Sequence, residues 1–112
     1  MLKTCFMGLF WKTDADRAVE ALQDAVAEVN MELRWFRDNF LERRIASESE
    51  VLHHHMRLAA LKTSSENALE RVPRHRLSSL SVPWIDGRAV PMMLWIMSYQ
   101  QMITMIERVE RM

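Results

Sequence analysis

Residues 15–40 decide the fold, and they read ADRAVEALQDAVAEVNMELRWFRDNF. Apolar side chains recur through this stretch at alternating spacings of four and three residues; they are Ala15, Val19, Leu22, Val26, Val29, Leu33, Phe36 and Phe40. Such spacings align side chains along one face of an α-helix, the pattern of a helix packed lengthwise against another helix. The stretch therefore predicts a long, coiled-coil-like first helix.

The first helix is predicted over residues 14–46. Thr13 or Asp14 is a suitable N-cap, because its side-chain oxygen can accept a hydrogen bond from the free N–H groups of the first turn. No Gly or Pro, the residues that most weaken a helix interior, lies between Asp14 and Ala46.

The apolar seam stops after Phe40, and a second apolar stripe starts at the next residue. Ser47 and Glu50 have the spacing of a capping box, so the chain is predicted to break near Ser47 and begin a second helix over residues 48–72. A single uninterrupted rod that runs on to Leu61 is the alternative.

Residues 73–89 are predicted to form a loop, because they contain several Ser, Pro and Gly residues. Apolar side chains within the loop indicate that it is pinned to the core; they are Leu77, Leu80, Val82, Trp84 and Ile85.

A last helix is predicted over residues 90–111, with Pro91 in its first turn. Its apolar stripe comprises Met92, Trp95, Tyr99, Met102, Ile106 and Val109. Met93, Ile96, Ile103 and Met105 widen this stripe beyond what one neighbouring helix can cover. We therefore expect the last helix to be buried from several sides; the alternative is that its Met-rich face stays open in the free protein and receives a target.

Composition agrees with an all-α protein. The chain of 112 residues is 49% apolar with only 2 Gly and 3 Pro, whereas β-rich folds need many more turn residues. We predict one domain over residues 1–112: an oligomeric helical bundle of three principal helices. Residues 1–12 form an apolar arm that covers exposed core. A membrane-surface anchor is the less favoured reading of this arm, because Lys3 and Lys12 are its only basic residues.

The charges and the cysteine limit the classes of function. The formal net charge is zero, which argues against a dedicated nucleic-acid binder. The single Cys5 cannot form an internal disulfide, and we expect a cytoplasmic protein. Acidic residues recur every four positions along the first helix and are expected to face the more basic second half; they are Asp16, Glu20, Asp24, Glu28 and Glu32.

No catalytic, cofactor-binding or metal site is predicted. His53, His54 and His55 are consecutive, and consecutive side chains on a helix point about 100° apart, whereas chelation needs spacings of three or four. A metal site shared between subunits remains an alternative to a polar surface with some pH sensitivity.

Two further alternatives depend on polar residues. A basic segment over residues 53–76 could contact anions or nucleic acid through Arg57, Lys62, Arg71, Arg74 and Arg76. Polar residues within apolar stripes could belong to a small helical enzyme, but polarity that fixes the register of an interface is the favoured interpretation; they are Arg43, Arg44, Gln100 and Gln101.

The expected function is therefore a non-enzymatic protein–protein interaction module: a homo-oligomeric helical adaptor, regulator or structural component. Its partners are a second copy of the chain and another protein. A nucleic-acid-binding regulator is the runner-up, and a small helical enzyme comes third. The interface is predicted at Leu22, Val26, Val29, Leu33, Trp35, Phe36 and Phe40.

Overall fold

The computed structural model describes residues 12–112, which are mostly helical and include a two-stranded antiparallel sheet. The arm predicted for residues 1–12 lies, apart from Lys12, outside the described residues. The elements in chain order are α1 (Asp14–Phe36), a π-helical turn (Arg37–Leu41), α2 (Glu48–Arg71), α3 (Arg74–Leu77), β1 (Ser81–Pro83), β2 (Ala89–Pro91) and α4 (Met92–Arg111).

A capping box starts α1, and Thr13 is the N-cap. The hydroxyl of Thr13 accepts a hydrogen bond from the Asp16 N–H at 3.1 Å, and the Asp16 carboxylate accepts one from the Thr13 N–H at 3.2 Å. Asp14 and Asp16 also place negative charge at the positive end of the helix dipole.

The α-helical part of α1 ends ten residues before the predicted end at residue 46. The Glu42 N–H donates to the carbonyl of Arg37 at 2.9 Å, which is the wider π-type turn. The side-chain amide of Asn39 donates to the carbonyl of Trp35 at 2.9 Å and so competes with the backbone for that acceptor. The carbonyl of Asn39 then accepts from the N–H groups of Ile45 and Ala46, which reverses the chain.

The predicted capping box at the start of α2 is present. Ser47 is the N-cap, its hydroxyl accepts from the Glu50 N–H at 3.2 Å, and the Glu50 carboxylate accepts from the Ser47 N–H at 3.0 Å. The break therefore lies before residue 48, and a single rod to Leu61 is excluded. From there α2 runs without interruption to Arg71, and Pro73 follows it.

The segment predicted as a loop contains α3 and the first strand of a hairpin. Val82 in β1 pairs with Val90 in β2, and Val82 is buried. The connecting turn is closed by the Gly87 N–H, which donates to the carbonyl of Trp84 at 2.9 Å. Gly87 has a φ of 88°, a backbone conformation that favours glycine. The loop is pinned as predicted, because Ile85 is also buried.

The core lies along the apolar seam of α1, between α2 on one side and the hairpin and α4 on the other. Its buried side chains are Val19, Leu22, Val26, Val29, Leu33, Phe36, Leu58, Val72, Val82, Ile85, Met92, Trp95, Met102 and Ile106. The molecule measures 64 × 24 × 23 Å, and its Cα radius of gyration is 17.3 Å. A compact domain of about 100 residues has a radius of gyration of about 13 Å, so this chain is elongated and exposes much helix surface.

The prediction that α4 is buried from several sides is wrong for one face. Met92, Trp95, Met102 and Ile106 are buried, but Met93, Leu94, Met97 and Met105 are 47–61% exposed. At about 100° per residue the two sets lie on opposite faces of the helix. The buried face packs against the hairpin and the π-helical turn, and Trp95 also reaches Asn30 on α1. No helix within residues 12–112 combines the length and the apolar character needed to cross a membrane.

Candidate functional site

A buried carboxylate joins α1 to α2. The side chain of Glu32 is only 5% exposed; its Oε2 lies 2.6 Å from His54 Nδ1, and its Oε1 lies 2.7 Å from Arg57 Nε. His54 and Arg57 are three residues apart and therefore share one face of α2. A buried carboxylate is costly unless it is paired, so these two partners explain how Glu32 is accommodated between the helices.

The imidazole of His54 is also held by stacking. Its ring lies over Trp35 with centroids 3.7 Å apart and an interplanar angle of 17°. Trp35 in turn meets Phe36 edge-on at 5.0 Å. The position of the His54 ring is thus fixed by a hydrogen bond on one edge and an indole on one face, and the cluster can hold two helices in register.

The three consecutive His side chains diverge, as their spacing on a helix predicts. His53 is exposed, His54 reaches Glu32 on α1, and His55 reaches Glu110 on α4. Within residues 12–112 no three His, Cys, Asp or Glu side chains are grouped as metal ligands.

His55 lies at the centre of a groove between α2 and α4, here called the α2–α4 groove. Its Nε2 is 2.6 Å from Glu110 Oε1, but the carboxylate is not aligned for a hydrogen bond, so the contact is close without being a hydrogen bond. The nitrogen itself is shielded from solvent. His55 therefore places a polar atom without an aligned partner among the described residues at the wall of the groove.

The α2–α4 groove consists of two cavities of about 490 and 360 Å³ that meet at His55. The larger is lined by His55, Leu58, Ala59, Lys62, Glu66, Tyr99, Gln100, Ile103, Thr104, Ile106 and Glu107. Leu58 and Ile106 form an apolar floor, whereas Lys62, Glu66 and Glu107 are exposed at the rim. Burial raises the pKa of Tyr99, and the charge of Glu66 raises it further. The groove therefore has an amphipathic lining that suits a segment of protein chain.

The structure places the predicted interface residues mainly inside the chain's own core. Leu22, Val26, Val29, Leu33 and Phe36 are 0–1% exposed, and Trp35 and Phe40 are half-buried. Contact with a second chain through the five buried side chains would require α1 to separate from its neighbours, so that interface stays a prediction.

The predicted basic residues do not converge on one face. Arg57 pairs with Glu32, Lys62 approaches Glu66 at 3.9 Å, and Arg76 Nη1 lies 2.8 Å from Asp16 Oδ1; Arg71 and Arg74 are exposed. The hydrogen bond from Arg76 lowers the pKa of Asp16. The acidic residues of α1 were expected to face the second half of the chain. This is confirmed for the first and the last of them, Asp16 and Glu32, which contact Arg76 and Arg57.

The polar residues predicted within apolar stripes, Arg43, Arg44, Gln100 and Gln101, are exposed.

The exposed face of α4, here called the α4 stripe, corresponds to the alternative that was less favoured from the sequence, in which the Met-rich face of the last helix stays open. It consists of Met93, Leu94, Met97 and Met105. Two of them, Met93 and Met105, appeared in the sequence as a widening of the apolar face, which indicates either more burial or an open surface.

Comparison with family models, with curated proteins and with solved structures finds no match.

Proposed function

We propose that this chain is a non-enzymatic protein–protein interaction module that works as a homo-oligomer, in the role of a helical adaptor, regulator or structural component. The observation that carries the proposal is the α4 stripe. Four large apolar side chains lie on one solvent-facing side of a helix, within about 18 Å at 1.5 Å per residue. Contiguous exposed apolar surface of this kind is characteristic of interaction sites.

The stripe is compatible with self-association about a two-fold axis. Met97 and Met105 are each four residues from Gln101, which is exposed on the same face. An antiparallel pair of α4 helices centred on Gln101 would place Met97 against the partner's Met105 and Gln101 against the partner's Gln101. A single polar pair within an apolar seam would fix the register, which is the role that the sequence suggested for this glutamine.

The size of the stripe limits the strength of the assembly. Stable, specific interfaces bury about 1,200–2,000 Å² in total, and one face of a helix supplies only the centre of such an area. We therefore expect a reversible, concentration-dependent equilibrium in which the three long helices α1, α2 and α4 form a bundle with those of a second copy. A further protein partner in the cytoplasm belongs to the same proposal, because Met-rich surfaces adapt to more than one shape.

Sedimentation over a range of concentrations tests this function. The parent chain should associate, and Met97→Glu should shift it to the monomer, because the variant places a charge in the centre of the seam. Met31→Glu is the matched control, since Met31 is 62% exposed on α1 and outside the stripe. A chain that stays monomeric at high micromolar concentration would contradict self-association. Dissociation by Met31→Glu but not by Met97→Glu would assign the interface to α1.

A further inference from the structure

Residues 1–11 are unusually apolar. Eight of them are apolar, and the only charged side chain is Lys3; the eight are Met1, Leu2, Cys5, Phe6, Met7, Leu9, Phe10 and Trp11. Large apolar surface of this density is unfavourable in water and gains free energy when it is covered. The segment is therefore expected to bind an apolar surface of comparable length.

The α2–α4 groove supplies such a surface. Its floor is apolar at Leu58 and Ile106, and Tyr99 and Ile103 are half-buried in its wall. With cavities of about 490 and 360 Å³ along its two halves, it has room for an additional segment of chain. We propose that residues 1–11 of this chain dock in the α2–α4 groove.

Charge complementarity supports this occupant. Four carboxylates line the two cavities against the single ammonium of Lys62; they are Glu48, Glu66, Glu107 and Glu110. The segment brings Lys3 and no acidic residue, so its charge opposes that of the rim. The α4 stripe also exposes large apolar side chains, but its neighbouring exposed charge is Arg108, which would repel Lys3.

The segment is long enough to reach the groove. The distance along α1 from Asp14 to Glu32 is about 27 Å at 1.5 Å per residue, and Glu32 contacts His54, the neighbour of His55. Eleven extended residues span about 36–40 Å at most. Starting from Lys12, the segment can therefore pass the Glu66 end of the groove and extend toward His55. This inference does not depend on self-association.

Cys5 makes the proposal testable in the chain of 112 residues, because it is the only cysteine there. Ala59→Cys places a second thiol in the lining of the groove, and Ala60→Cys places one on the next residue, which is also exposed but points about 100° away. Both variants have almost the same chain length back to Cys5, so random encounters of the tethered segment give them the same baseline rate. Oxidised glutathione at low protein concentration then reports which thiol Cys5 meets.

We expect the intrachain disulfide between Cys5 and the new cysteine to form at least tenfold faster in Ala59→Cys than in Ala60→Cys. Lys3→Glu, added to Ala59→Cys, should slow the reaction severalfold because it opposes the acidic rim. Equal rates in the two alanine variants would overturn the proposal. Faster closure in Met97→Cys would place the segment on the α4 stripe, and disulfides only between chains would assign the groove to a second copy; either result also overturns it. Melting curves of the reduced variants establish that they are folded.

Discussion

The indole N–H of Trp95 on α4 donates a hydrogen bond to Oδ1 of Asn30 on α1 at 2.9 Å, and both side chains are buried. The amide nitrogen of Asn30 donates in turn to the carbonyl of Pro83 in β1 at 2.7 Å. One side chain therefore connects the first helix, the hairpin and the last helix. Because α4 packs on the hairpin and the π-helical turn and reaches α1 through Trp95, this connection helps to fix where its open face lies.

Asn30→Ala should lower the free energy of unfolding by about 1–3 kcal/mol, the cost of leaving one buried polar group without a partner. The group that loses its partner is the indole N–H of Trp95. The Pro83 carbonyl also loses a donor, but Pro83 is exposed and its carbonyl can bind water instead. Urea unfolding measures the change. Asn67→Ala, at an exposed position of α2, is the control and should stay within about 0.5 kcal/mol of the parent.

A double-mutant cycle isolates the hydrogen bond itself. Trp95→Phe removes the donor but keeps an aromatic ring, so the double variant with Asn30→Ala should lose less than the two single variants add up to. Additive losses would mean that Asn30 stabilises the fold through Pro83 or by packing, and not through Trp95.

The sequence predicted the helices well where a local signal was present. The three-and-four spacing placed the core of α1, and the Ser47 capping box placed the start of α2. The end of α1 was misjudged because the competition of the Asn39 amide for a backbone carbonyl leaves apolar periodicity unchanged. The hairpin was missed because each strand has only three residues, so its one signal, Asp86-Gly87 between Val82 and Val90, was taken for a loop.

Glu32→Gln should destabilise the chain by about 1.5–3 kcal/mol, the range for hydrogen bonds to charged groups. The variant keeps the shape of the side chain but removes the charge that meets His54 and Arg57, and it leaves Arg57 facing a neutral amide. Thermal unfolding at neutral pH measures the loss. Glu28→Gln, one turn earlier and exposed, should melt as the parent does; an equal shift in both variants would mean that the general charge of α1 matters and not this cluster.

Arg76→Gln should raise the pKa of Asp16 toward its ordinary value, because the Arg76 side chain is the largest cause of the lowered pKa. A carboxyl whose pKa is lowered on folding contributes stability above its unfolded pKa, and that contribution disappears as the pH falls through the folded pKa. The parent should therefore begin to lose this contribution only below about pH 4, the ordinary range of an Asp side chain. A carboxyl-detected NMR titration of the parent and Arg76→Gln gives the two pKa values directly. Unchanged values would mean that the ion pair does not persist in solution.

The candidate site was predictable only in part. The divergence of His53, His54 and His55 followed from helix geometry, but their partners Glu32 and Glu110 did not, because partner choice depends on which helices become neighbours. The open α4 stripe was the less favoured alternative for a related reason. Periodicity identifies the apolar side chains of a helix, but it does not say how many neighbours the rest of a short chain can provide.

Tyr99 should ionise above the ordinary tyrosine pKa of about 10. Burial beside the α2–α4 groove disfavours the phenolate, and the negative charge of Glu66 disfavours it further. It is the only tyrosine in the chain, so the ultraviolet absorbance of the phenolate reports this single group. Because the folded pKa lies above the unfolded one, the contribution of Tyr99 to stability is complete below about pH 10 and is lost as the pH rises through the folded pKa.

Glu66→Gln separates the two causes of the Tyr99 shift. The variant removes only the charge, so the pKa should fall part of the way toward its ordinary value and the effect of burial should remain. Glu70→Gln, one turn further along α2 and outside the lining of the groove, should leave the titration unchanged. If residues 1–11 dock in the groove, Lys3→Glu should also lower the pKa of Tyr99, because a displaced segment gives the phenol back to water. An ordinary pKa in the parent would mean that Tyr99 is solvated, and the wall of the groove would then be more open than its burial indicates.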